Sequence, residues 1–307
     1  MLRLSLLALL PLAVACGQAR APDVPDGSSS GIVDPPVTAC PTVGAGEQVG
    51  VLPGGLLEAS GLAASRAFDG VLYSHNDSGD TARVFALGTD GSLRSVLSVP
   101  GATAVDWEDL AIGSFNGKPT LYIGDIGDNA RARKDIVVYR APEPDALAPQ
   151  GVLAGATAFH LVYPDGRARD AEALMWDDRE GVVVIVTKDF GGHSEVFTAR
   201  LTGESPEALQ RIGELGFGQP PLEGGNLVTD GDLRRDGSAI VLRTYGSAYL
   251  WRRAAGQSLA SAFAGAPCPL RTVNEKQGEA IAFTADGRGY FTTSEGAAAP
   301  LTRFLLQ

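Results

Sequence analysis

An all-β chain closed into a five-bladed β-propeller is the fold this sequence predicts, on three observations. From residue 47 onward, turn signals such as Asp-Gly recur every eight to twelve residues between short runs of Val, Ile, Leu, Tyr and Phe. Five segments share one frame: LEASGLAAS from Leu57, VDWEDLAIG from Val105, RDAEALMWD from Arg169, NLVTDGDLR from Asn226 and KQGEAIAFT from Lys276. Each is followed, after a polar turn, by a second apolar run: VLYSHNDSGD, TLYIGDIGDN, VVIVTKDFGG, IVLRTYGSAY and GYFTTSEGAA. Repeats of about 50 residues bury both faces of each sheet only by stacking on neighbours, which a propeller provides and a sandwich does not need.

The chain is then read in order. Residues 1–15 (MLRLSLLALLPLAVA) carry one basic residue, an apolar run too short to span a bilayer, and small residues before Cys16. That is the form of an export signal. Ala-Val-Ala-Cys resembles a lipobox with Ala13 where Leu is commoner, so Cys16 is expected to be the lipidated first residue of a mature lipoprotein; the alternative is a plain signal peptide cut near Cys16. Residues 16–46, rich in Pro, Gly and Ser, are expected to be a flexible tether, and 47–307 the propeller. Gly-Ser-Ser-Ser-Gly in the tether matches the hydrolase pattern G-x-S-x-G without the strand, turn and helix that the pattern requires.

The fifth repeat has only LTRFLL left after its second run, one strand short of a four-stranded blade. Glu47 to Leu52 (EQVGVL), ahead of the first repeat, can supply that strand and close the ring. Once Cys16 carries lipid, Cys40 and Cys268 are the remaining thiols, and in an exported protein two thiols more often pair than stay free. Helices have few openings: SPEALQRI, with Ser205 and Pro206 as a start signal, and QSLASAFAG near residue 260.

Charge excludes one class of partner. The formal net charge is −11, and loss of Arg3 with the signal takes it to −12, which makes nucleic acid an unsuitable partner. The expected partner is a small ligand or a protein, with membrane contact through the lipid anchor only, and the expected state is an exported, lipid-anchored monomer.

The aligned repeats place two positions, two residues apart, at the start of each first strand: Glu58 and Ser60, Asp106 and Glu108, Asp170 and Glu172, Leu227 and Thr229, Gln277 and Glu279. Residues two apart on a strand share a face, and the first strand of every blade lines the central channel. Glu58, Asp106, Glu108, Asp170, Glu172 and Glu279 are therefore expected to converge on one axis. Such a crowd of carboxylates needs protons or a cation among it. All-oxygen ligands suit Ca2+ better than Zn2+, so a Ca2+ ring is the expectation, and a solvated acidic mouth is the alternative. The fourth repeat lacks the acidic pair, and Asp230 or Asp232 is the candidate substitute.

EASGLA, DWEDLAI, DAEALMW and QGEAIAF, each with a following run such as LYSHNDSGD or YFTTSEG, resemble exported bacterial propellers of the SdiA-regulated type and related phytase-like or esterase-like propellers. The rhythm of acidic strand starts is similar to that of the calcium-activated nucleotidases (apyrases), which implies five blades and a central Ca2+. The resemblance covers about residues 47–307 and bears on fold more than on activity.

The loops after the second strands border the same mouth as the first-strand starts. A hydrolase of phosphate esters, nucleotides or lactones there would use Asp77 or Asp125 to activate water, with His75 beside them and Lys188 or Arg243 to hold an anion. Asp-Ser-Gly-Asp and Gly-Asp-Asn are also ordinary turn sequences. Two readings stay open: a Ca2+-stabilised ligand- or partner-binding module, which is preferred, and a Ca2+-dependent hydrolase. His160 is expected on an outer strand, and Trp107, Trp176 and Trp251 between blades.

Overall fold

The computed structural model describes residues 39–218, 225–275 and 277–307. The expected signal segment, Cys16 and the start of the expected tether lie outside the described residues. The compact unit of the chain is Cys40–Gln307.

Five sheets follow one another along the chain. The first blade is Ala59–Ala64, Val71–Asn76, Arg83–Gly88 and Leu93–Ser98, from the channel outward, with Gln150–Val152 added in parallel at its edge. The second is Trp107–Phe115, Lys118–Asp125, Ile136–Pro142 and Thr157–Val162, edged by Glu207–Ala208. The third is Ala171–Asp177, Val182–Thr187, His193–Ala199 and Gln210–Gly216, and the fourth is Val228–Leu233, Ala239–Thr244, Ala248–Arg252 and Cys268–Leu270. In the fifth, Gly278–Phe283, Gly289–Ser294 and Pro300–Leu305 are completed by Glu47–Val51, which runs antiparallel to Pro300–Leu305 with Glu47 opposite Arg303 and Val51 opposite Pro300. Inner strands of successive blades touch, and Ala59–Ala64 touches Gly278–Phe283, so the ring is closed.

The core is divided among the blade interfaces. Ala63, Tyr73, Leu110, Leu121 and Ile123 pack blades one and two. Tyr122, Leu174, Ile185 and Phe197 pack two and three; Met175, Val184, Val228 and Leu242 pack three and four. Val241, Leu250, Ile281 and Tyr290 join four to five; Leu62, Leu72, Ala280 and Phe291 join five to one. The three tryptophans lie at these seams: Trp107 edge-on to His75, Trp176 stacked on Tyr122 at 4.3 Å, and Trp251 against Phe217 and Phe263.

Two expectations change. The tether does not extend to residue 46: Thr42 exchanges backbone hydrogen bonds with Gln307, Gly44 donates to Leu305, and Val43 bridges Leu306 and is buried, because the last strand offers an open edge. Cys40, joined to Cys268 by a disulfide with a Cα–Cα distance of 5.4 Å, belongs to the body as well. SPEALQRI is not helical; Glu207–Ala208 and Gln210–Gly216 are strands, and the Glu207 carboxylate holds the preceding loop by accepting from the backbone of Arg200 and Thr202. Helix does form at Leu259–Phe263, where the Ser258 hydroxyl caps Ser261 N–H. His160 sits on the outer strand of blade two, bonded to Asp135 at 2.7 Å.

Candidate metal centre at the channel mouth

Each inner strand contains a β-bulge near its start, and in four blades the extra residue occupies the same aligned position. Pairing skips Glu108 between Trp107 and Asp109, Glu172 between Ala171 and Ala173, Thr229 between Val228 and Asp230, and Glu279 between Gly278 and Ala280. A bulge re-aims the side chain it carries. In blade one the irregularity falls later, between Ser60 and Ala63.

Two carboxylate triads result. Ligand oxygens of Asp77, Asp106 and Glu108 lie within 4.8 Å of one another, as do those of Glu108, Asp170 and Glu172. Glu108 belongs to both. It is only 2% exposed, yet its Oε1 has no hydrogen-bond partner. Above it the chain passes as bare backbone: a Cβ on Gly127 would run into Glu108 Oε1 and lie 2.6 Å from an Asp106 carboxylate oxygen.

The electrostatics follow from this crowding. Burial, then Glu172, Asp77 and Asp106, hold the Glu108 carboxyl well above its ordinary value. Asp106 is pushed up to about 6 by burial and by Asp77 and Asp170. Glu172 rises to about 7, mainly through burial, against the pull of Lys188. Glu279, buried beside Glu172 and Glu295, rises to about 8. Asp77 is raised by burial and by Glu295 and Glu58. Arg133 lies close enough to Asp106 to oppose its rise. Among the described residues the cation bonded to a triad carboxylate is Lys188, whose Nζ donates to Glu172 at 2.8 Å and to the Tyr245 hydroxyl at 2.9 Å. Burial opposes its charge, but Glu172 and Tyr245 more than restore it.

Of the six expected ring members, Asp106, Glu108, Asp170 and Glu172 come together. Glu279 is buried nearby but in neither triad, and Glu58 is exposed and likewise in neither. Among the described residues blade four contributes no carboxylate to the triads: Thr229 donates to Gly278 O at 3.0 Å. Asp230 and Asp232 do not substitute. They lie deeper and accept backbone N–H groups of blade five, from Ile281 at 2.6 Å and Phe283 at 2.8 Å. Asp77, expected as a water-activating base, has a carboxylate oxygen in the first triad, where Glu58 has none.

The catalytic set does not assemble. His75 is fully buried, bonded through Nδ1 to Asn76 O, and burial lowers its pKa to about 4. Asp125 is fully buried and pairs with Arg133 at 2.6 Å while accepting from the backbone of Val105 and Asp106. Arg243 is fully buried, donating to Ala280 O and Thr293 O and paired with Glu275. His75 and Arg243 share one position, a residue before the end of the second strand, and are turned into seams, His75 edge-on to Trp107 of blade two and Arg243 onto Ala280 O of blade five. Asp125, one position further on, is held within blade two by Arg133 and the backbone ahead of the inner strand. Asp77 and Lys188 alone of the five border the triads. Residue types at the end of a strand were legible; which face they took was not.

No protein-family model matches the chain, and no curated protein matches it in sequence. Solved structures do align with it. The WD40 repeats of RRP9 match at 14% identity over 81% of this chain and 67% of that one, with a TM-score of 0.38. U3-55K matches at 16% identity over 81% and 68%, with a TM-score of 0.38. A nidogen/laminin complex matches at 14% identity over 77% and 72%, with a TM-score of 0.43. Likeness at that level carries nothing about function. By its own five closed sheets, this chain is a five-bladed β-propeller.

Proposed function

We propose that this protein is a cation-stabilised binding module, in which Asp77, Asp106 and Glu108 hold Ca2+ at the channel mouth and a small ligand or partner docks over it. The observation that carries this reading is the orphaned Glu108 oxygen. A buried acceptor without a donor costs more than an ordinary hydrogen bond returns, and it sits where two triads meet. The donor set is hard oxygen throughout, with mixed carboxylate lengths, which suits a cation that takes six to eight oxygens in flexible geometry. Ca2+ there would supply the positive charge that the carboxylates lack and an open position for a ligand oxygen.

The binding reading is preferred to a hydrolase because His75 and Arg243 are engaged in the seams and Asp125 is paired with Arg133 inside blade two. Export and lipid attachment through Cys16 belong to the same proposal, supported by the Cys40–Cys268 disulfide, a bond that persists in oxidising compartments. The test is thermal melting and calorimetry of the full chain in EGTA and in Ca2+. Saturable Ca2+ uptake with a rise of about 4 kcal/mol in stability at a thousand times Kd is expected. No uptake, and one melting temperature in both conditions, would overturn it.

A further inference from the structure

Beside the triads, between blades two and three, lies a cavity of about 150 Å3 lined by Arg131, Arg167, Arg169, Lys188, Asp170 and Asp189, among others. Four cationic side chains at one pocket stand out on a chain of net charge −11. They are not equally committed. Arg169 is spent: it donates to Asp165 twice and to Glu195. Lys188 gives two of its three N–H groups to Glu172 and Tyr245.

Arg131 and Arg167 have donors to spare. Arg131 makes one side-chain hydrogen bond, to Asp189 at 3.3 Å, and its side chain is 47% exposed. Its backbone takes the left-handed conformation, φ 51°, which a residue with a Cβ adopts at a cost and which tends to gather at functional positions. Arg167 has only a distant ion pair with Asp165 at 3.7 Å, and 82% of its side chain is exposed. Each guanidinium is a planar fork matched to two oxygens of one anion. Phe190 follows the lining residue Asp189 in the chain and is 64% exposed, an apolar side chain open to solvent.

We propose that this cavity is an oxyanion site, in which Arg131 and Arg167 grip the phosphoryl or carboxylate group of a small ligand whose apolar body lies against Phe190. Its volume is below the roughly 300–1,000 Å3 of whole-ligand pockets, so it takes the anionic group and leaves the body outside. Asp170 is shared by the cavity and the second triad, so an anion in the cavity lies beside the proposed cation. The enhancement by Ca2+ expected below rests on the cation reading; the dependence on the arginines does not.

The experiment titrates the full chain with phenylphosphonate and, separately, benzoate, at low salt, in EGTA and in Ca2+. These probes share a ring and differ in the oxyanion, so the tighter one identifies the group preferred. Saturable binding is expected in both buffers, tighter in Ca2+, and weakened by about tenfold or more in Arg131→Gln and in Arg167→Gln. Arg303→Gln, on the third strand of blade five and paired with Glu47, is the charge control and should bind like wild type. Both arginines are exposed, so unchanged melting temperatures confirm that the variants fold. Absence of saturation by either probe, or equal affinity in wild type and both variants, overturns the inference. If Ca2+ is not taken up but the arginines still matter, the cation reading fails and this site stands; Ca2+ uptake with arginine-independent binding is the reverse.

Discussion

The inner strands carry two tiers of buried carboxylates, and the tiers are satisfied differently. In the deep tier, Asp109 accepts from Leu110 N and from Leu174 N of the next blade, both at 2.6 Å. Asp230 does the same with Gly231 and Ile281, and Asp232 with Leu233 and Phe283. At the mouth, Glu108 is as deeply buried but lacks a donor at Oε1, and Asp77, Asp106, Asp170 and Glu172 crowd around it. Burial therefore does not separate a structural acid from a ligand-holding one; the partner list does. Deep aspartates bridge blades, as Asp109 does from blade two to three and Asp230 from blade four to five. Asp109 and Asp230 also hydrogen-bond to each other, but each keeps its backbone donors, whereas at the mouth Glu108 has other carboxylates as its nearest charged neighbours.

The sharpest break between the tiers is expected from removing one member of each. Asp230→Ala strands two buried N–H groups and should cost about 3 kcal/mol or more in urea unfolding, with or without Ca2+. Glu108→Gln should do the opposite in EGTA, raising stability by about 1 kcal/mol because one repelling charge is gone, while losing most of the Ca2+ increment. If both variants destabilise the EGTA form alike, the distinction between tiers is wrong.

A pH titration reads the mouth tier as a whole. Four of its carboxyls, Asp106, Glu108, Glu172 and Glu279, hold protons more tightly folded than unfolded, with Asp106 near 6, Glu172 near 7 and Glu279 near 8. Their contribution is fully present below the unfolded value, roughly 4, and is lost as pH climbs through 6 to 8. In EGTA the melting temperature should fall across that window, and buried Asp232, raised to about 7, adds to the fall. Saturating Ca2+ should flatten the curve, and uptake should release protons near pH 7. A melting temperature that rises over the window in EGTA would contradict the site's electrostatics.

The smallest effect tests the roof. Gly127→Ala puts a methyl where Glu108 and Asp106 converge, so Ca2+ affinity should drop about tenfold, with stability in EGTA little changed. Equal affinity would mean that the backbone at 127 does not shape the site.

Much of this arrangement was legible because repetition makes one position visible five times. The frame shared by VDWEDLAIG and RDAEALMWD located the acids, and the missing strand after LTRFLL located the closure. What stayed hidden depended on pairing. A bulge cannot be seen in a strand by itself, so nothing distinguished Glu108, on the bulge, from Asp109, one residue on and pointing into the deep tier. The same blindness hid Asp77, whose entry into the triad depends on where the second strand of blade one ends. Arg243 and His75 were misread because seams between blades need polar groups too, to meet backbone carbonyls such as Ala280 O and Asn76 O.

The disulfide gives the closed ring a mechanical property. Glu47–Val51 is the strand a pull on the leading end of the chain would peel first, one hydrogen bond at a time. Cys40 lies upstream of it and is clamped to Cys268 in blade four. Tension arriving from residues ahead of Cys40 is therefore routed across the S–S bond into the neighbouring sheet, and the closing strand carries no load. With the bond reduced, the same pull runs straight along the zipper, and the propeller should open at lower force.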